Sequence, residues 1–152
     1  MKTIKKFEIR SQRMTVCENA EIYSPQITAP EIVAQVSRQL TNGIDQERFL
    51  VFLLDVKNRI LGYVEAAVGA IDSCVVDPRI VFRAAVHLGA SGIIVCHNHP
   101  SDDATPSEQD DAITKRLVQC GKLLDIVVLD HIVVAEHSVF SYVEDKPHLL
   151  KG

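Results

Sequence analysis

Ile93 to Cys96 is a continuous apolar run of strand length that ends at His97-Asn98-His99-Pro100. A strand apolar on both faces must be covered on both, which calls for helices on either side of a sheet. The flanking segments supply them. Ala29 to Leu40 reads as a helix, with Thr28 as N-cap, Pro30 in the first turn, and Ile32, Val33, Val36 and Leu40 along one stripe. Asp77-Pro78 opens a second helix that buries Val81, Ala84, Ala85 and Leu88 and closes at Gly89. Thr105-Pro106-Ser107-Glu108 reads as a capping box that starts a third, ending near Gly121. Arg48–Val56 and Arg59–Val68 form a hairpin about Lys57-Asn58, and Ile126–Ala135 and Val139–Tyr142 supply two last strands. Lys5–Arg10 could add a short edge strand. The expected class is α/β: a mixed sheet flanked by helices, an α/β sandwich.

The histidines at the end of the buried strand begin the pattern H-x-H-x7-S-x2-D: His97, His99, Ser107 and Asp110. Two residues apart on an extended segment, the imidazoles lie on one side of it. In the helix that follows, Ile113 and Leu117 stand three and seven residues beyond Asp110, so its carboxylate shares their inward face. An inward carboxylate needs a partner, and a cation held with His97 and His99 provides one. Asp111, about 100° further round, should be solvated, and Ser107 is carried to the side of Asp110. Two histidines and one acid with an open fourth position match a catalytic zinc site, although other first-row metals also accept these donors. The competing reading is a polar turn that merely carries two histidines. A general base is also required, and Glu65 is the only Glu inside a strand-like apolar segment.

The chain has 152 residues, a length suited to one domain over 1–152, with a net charge of −4 and no global basic footprint for nucleic acid. MKTIKKFEIR lacks the apolar core of a secretory signal. No apolar run nears the roughly 20 residues that span a bilayer. Cys17, Cys74, Cys96 and Cys120 show no paired spacing, so free thiols in a cytoplasmic protein are expected.

At these residues the sequence resembles the JAB/MPN (JAMM) zinc metalloprotease superfamily, and within it the bacterial RadC branch. The match covers about residues 28–145. It rests on Leu54-Asp55-Val56-Lys57-Asn58-Arg59, Gly69, Asp77-Pro78-Arg79, His97-Asn98-His99-Pro100-Ser101, Thr105-Pro106-Ser107 and Leu129-Asp130-His131-Ile132. The resemblance implies a JAB/MPN-like (cytidine-deaminase-like) α/β/α sandwich and zinc bound by His97, His99 and Asp110. Glu65 would be the base and Ser107 would steady the oxyanion. It further implies hydrolysis of a peptide or isopeptide bond in a protein substrate, and a link to DNA repair. The chain departs from the branch at Ser101-Asp102-Asp103, where Ser-Gly-Asp is usual, and at Asp77, where His is frequent. Glu65 lies four residues before Gly69, whereas the branch commonly has an acid or amide five before. The DNA-binding helix-hairpin-helix module of longer members has no counterpart in residues 1–45.

Other residues invite functional readings. Strand alternation turns Cys96 away from His97 and makes it a buried thiol. His87 suits a helix C-terminus, and His137 and His148 look solvated. His131 reads as a structural histidine, with a supporting place beside the metal as the alternative. Three functions compete: a zinc-dependent amide hydrolase, a metal-dependent nuclease, and an inactive module that binds a protein or DNA-repair partner in the same groove.

Overall fold

The computed structural model describes residues 26–69 and 76–152; the Lys5–Arg10 strand expected above lies outside them. Helix α1 is Pro30–Thr41, followed by strands β1, Arg48–Leu54, and β2, Ile60–Val68. Helix α2, Pro78–Leu88, leads into β3, Gly92–Asn98. Helix α3 is Glu108–Leu124, and β4 and β5 are Val127–Val134 and Val139–Ser141. A short α4, Tyr142–Asp145, and a 3-10 turn, Pro147–Leu149, end the chain. The sheet order is β2-β1-β3-β4-β5. Among the described strands only β3 and β4 run parallel, and α3 makes the crossover between them.

All seven residues of β3 are buried, as its apolar run requires. Alternation divides the sheet into two faces. Phe49, Val51, Leu53, Ile93 and Val95 pack against Val81, Phe82 and Ala85 of α2 and Ile113, Leu117 and Val118 of α3. Leu50, Phe52, Leu54, Ile94, Cys96, Ile132 and Val134 pack against Val33, Ala34 and Val36 of α1. The architecture is thus an α/β sandwich with α1 on one face and α2 and α3 on the other. Among the described residues, no helix is long and apolar enough to cross a membrane.

Two helix starts differ from the sequence reading. Ala29 rather than Thr28 is the N-cap of α1, and it makes no side-chain cap bond. The third helix begins at Glu108, not Pro106, because Ser107 and Asp110 form the capping box in place of Thr105 and Glu108. Ser107 Oγ accepts from Asp110 N at 3.1 Å, and Ser107 N donates to Asp110 Oδ2 at 2.7 Å. Thr105 N is taken instead by the carboxylate of Asp103. Asp77 caps α2 through Arg79 N, and Gly89 closes it in the left-handed conformation, φ 64°. The β1–β2 turn is held by Asp55, whose Oδ1 accepts from Lys57 N and Arg59 N, with Asn58 at φ 57°.

Candidate metal centre

Three elements meet at the C-terminal end of β3. The strand carries His97, the residue after Asn98 carries His99, and the first turn of α3 carries Asp110. His97 has the parity of Ile93 and Val95, so it emerges on the face covered by α3. Its ring stacks on Phe49, the residue paired with it in β1, at 5.9 Å between centroids. Asp110 shares the inward side of α3 with Ile113 and Leu117, and all three are buried.

The donor atoms converge. His97 Nε2 lies 3.0 Å from His99 Nε2 and 3.3 Å from Asp110 Oδ1, and His99 Nε2 lies 3.7 Å from Asp110 Oδ2. One ligand atom from each of the three residues falls within 4.8 Å of the others, as a shared ion requires. Two ring nitrogens and a carboxylate facing one another at these distances present lone pairs that a shared cation would satisfy. The residues therefore fit a divalent metal with N and O ligands. His97 and Asp110 are sealed from solvent, whereas the His99 side chain is 14% exposed, so the centre opens on the His99 side.

The local charges follow from this geometry. Burial alone would raise the Asp110 carboxyl. The facing rings of His97 and His99, together with the hydrogen bond from Ser107 N, outweigh it and hold Asp110 well below the usual carboxylate range. His99 is raised above the ordinary imidazole value, chiefly by its contact with Asp110, with Asp103 O and the charge of Glu47 adding to it. Its Nδ1 lies 2.8 Å from Asp103 O.

Behind the trio lies a fully buried histidine. His131 Nε2 is 2.9 Å from His97 Nδ1, and His131 Nδ1 is 2.6 Å from Thr114 Oγ1. Thr114 Oγ1 in turn donates to Asp110 O at 2.7 Å. Tyr142 stacks on the His131 ring at 4.8 Å and 7°. Burial, then the neighbouring His97, push His131 well below the ordinary histidine value, so it is neutral.

Glu65 is not among these residues. It pairs with Leu50, whose side chain faces α1, on the side of the sheet opposite His97. It forms an ion pair with Arg48 at 2.7 Å on a partly exposed surface. The register shift between Phe49 and Leu50 sets the face on which it emerges. Ala67 pairs with Phe49 and Glu65 with Leu50, which leaves Ala66 as the extra residue of a bulge.

The acid brought towards the centre is Glu47. It immediately precedes β1 and stands two residues before Phe49, in the parity that faces α3. It is half-buried, and its charge acts on His99. The backbone of residues 46–48 is secured by three bonds. Gly69 N donates to Glu47 O, Arg48 N donates to Asn98 Oδ1 at 2.7 Å, and Asn98 Nδ2 donates to Gln46 O at 3.1 Å. The parity of Glu47 with Phe49 and Val51 was a usable signal. Weighing only acids inside apolar strands passed over it, because Glu47 stands one residue outside.

One further expectation is corrected, that for Asp111. Asp111 is not simply solvated, since it accepts from Tyr142 Oη at 2.7 Å and from Lys146 Nζ at 2.8 Å. His137 is exposed, as expected, and on that surface it pairs with Asp102, which accepts from both His137 N and His137 Nδ1 at 2.9 Å. Asp102 thus ties the loop after His99 to the β4–β5 connection. Cys96 is buried against α1, as alternation required, and burial pushes its thiol up to about 12.

A sequence model described as the RadC-like JAB domain matches residues 27–147. A UPF0758 protein of Bacillus cereus (strain B4264) is 38% identical over 143 residues, 94% of this chain and 62% of the relative. A UPF0758 protein of Caldanaerobacter subterraneus is 39% identical over 125 residues, 82% of this chain and 53% of the relative. One from Staphylococcus haemolyticus is 42% identical over 119 residues, 78% of this chain and 52% of the relative. The chain thus spans between half and two thirds of these relatives.

Proposed function

The chain belongs to the RadC-like JAB domain family, and we propose that it is a zinc-dependent hydrolase of amide bonds, acting on a peptide or isopeptide linkage in a protein. The observation that carries this reading is the convergence of His97 Nε2, His99 Nε2 and Asp110 on one point that opens to solvent beside His99. A divalent ion bound there would supply Lewis acidity and make water acidic enough to act as a nucleophile near neutral pH.

The remaining roles fall to the protein. His97, His99 and Asp110 hold the ion. Glu47, rather than Glu65, takes the proton from the attacking water and returns it to the leaving amine. Its half-buried place at the rim and the proximity of its charge to His99 support that role. Ser107 caps α3 with an oxygen lone pair, so its hydroxyl hydrogen remains available to a developing oxyanion. The nuclease reading draws no support from a net charge of −4. A partner in DNA repair would be reached through protein contacts.

The test begins with metal content. Protein stripped by chelator and reloaded should retain one zinc per chain, and His97→Ala or Asp110→Ala should abolish retention. Cleavage of an isopeptide-linked fluorogenic substrate should depend on the metal and fall with Glu47→Gln. Wild type that keeps no zinc after loading, or hydrolysis indifferent to Asp110→Ala, would remove the basis for the proposal.

A further inference from the structure

We infer that His131 is a positioning residue that sets the tautomer of His97, and that Thr114 dictates its direction. The argument follows single hydrogens. Thr114 Oγ1 lies 2.7 Å from the main-chain oxygen of Asp110 and 2.6 Å from His131 Nδ1. A hydroxyl has one hydrogen and a carbonyl can only accept, so that hydrogen goes to Asp110 O. His131 Nδ1 must then bring its own. A neutral imidazole carries one N–H, which leaves His131 Nε2 as a bare lone pair. That lone pair faces His97 Nδ1 at 2.9 Å, so His97 must donate from Nδ1. The hydrogen of His97 is thereby committed to the rear of the ring, and its Nε2 is left unprotonated toward His99 and Asp110.

The surroundings leave this chain no easy alternative. His131 and Thr114 are fully buried. The His131 ring is fixed by the Tyr142 stack on one side and the edge of Phe49 on another, 5.6 Å between centroids. His99 receives the same treatment by simpler means: its Nδ1 donates to Asp103 O, which also leaves Nε2 bare. The Thr114 link has a further effect. Because it starts at the carbonyl of Asp110, the turn that presents the carboxylate and the ring that presents His97 are joined by hydrogen bonds behind the site.

The inference rests on the metal reading only for its affinity arm; its tautomer arm is read on metal-free protein. Long-range ¹H–¹⁵N spectra of the metal-free wild type at alkaline pH should show His131 and His97 both protonated at Nδ1. Thr114→Val keeps the shape and removes the hydroxyl. It should give His131 a mixture of tautomers and weaken zinc binding, measured by chelator competition, by about 10–100-fold. Thr114→Ser should restore both properties. His131 protonated at Nε2 in the wild type would overturn the inference, as would Thr114→Val with wild-type tautomers and affinity. If Thr114→Val does not fold, the wild-type spectrum decides by itself. Zinc binding failing throughout while the tautomers stand as assigned would count against the hydrolase proposal and leave this one intact.

Discussion

Asn98 stands between the two ligand histidines but does a different job, and replacing it with Ala tests the account of how Glu47 is presented. Alternation turns its side chain away from the metal-facing side, and it is only 7% exposed. Its amide bridges to the segment before β1, accepting from Arg48 N at 2.7 Å and donating to Gln46 O at 3.1 Å. Losing two such bonds removes about 1 kcal/mol each, and the partly buried Arg48 N–H left behind adds a desolvation penalty of similar size. The expected loss is about 2–3 kcal/mol, a drop of roughly 1–2 M in the urea midpoint for a domain of this size. Asn98→Asp keeps the acceptor for Arg48 N but sets a carboxylate against Gln46 O, so it should not rescue stability at neutral pH. Because Asn98 touches neither ligand nor metal, zinc stoichiometry should stay at one per chain. Turnover should fall nonetheless, since Glu47 lies between the two anchored residues. A midpoint unchanged within about 0.3 M, or full turnover in a folded Asn98→Ala protein, would refute this reasoning.

Glu65→Gln should lose at most about 0.5 kcal/mol, the worth of a partly exposed ion pair, with zinc affinity and turnover unchanged. Glu47→Gln should lower kcat by about 10²–10⁴-fold while zinc remains bound, and equal kinetics in the two variants would defeat the reassignment of the base. Gly121→Ala should destabilise the fold by about 1–3 kcal/mol despite the better helix propensity of alanine. The added Cβ would run into the carbonyl oxygen of Ile126, where α3 turns into β4, and thermal denaturation would measure the loss. Zinc affinity should fall on acidification. The raised pKa of His99 means that metal-free protein takes up a proton there as pH drops through that value. Zinc must then displace it, at about tenfold in apparent affinity per pH unit. Asp110, held low, adds nothing in that range. The same shifts act oppositely on metal-free stability: the His99 contribution is lost as pH rises through its folded value, and that of Asp110 as pH falls to its depressed one. A chelator competition series flat across the acid range would contradict the shift at His99.

Much of this protein was determined by local pattern. The apolar run at 93–96 demanded helices on both faces and received them, because an all-apolar strand has no face to offer water. The placement of Asp110 followed from its 3.6-residue phase with Ile113 and Leu117, and the burial of Cys96 from the two-residue period of a strand. Such periodicities act within one element and are readable in one dimension. What tertiary structure decided was the register of the strands and the contacts made across it. A single bulged residue at Ala66 changed the face on which Glu65 emerges, and no count along β2 could reveal it, since register is set by the partner strand. Glu47 gained its place through Asn98, fifty-one residues away in the chain. His131 became the support of His97 only because β3 and β4 run side by side and in parallel, with the Thr114 hydroxyl from α3 closing the chain of hydrogens behind them.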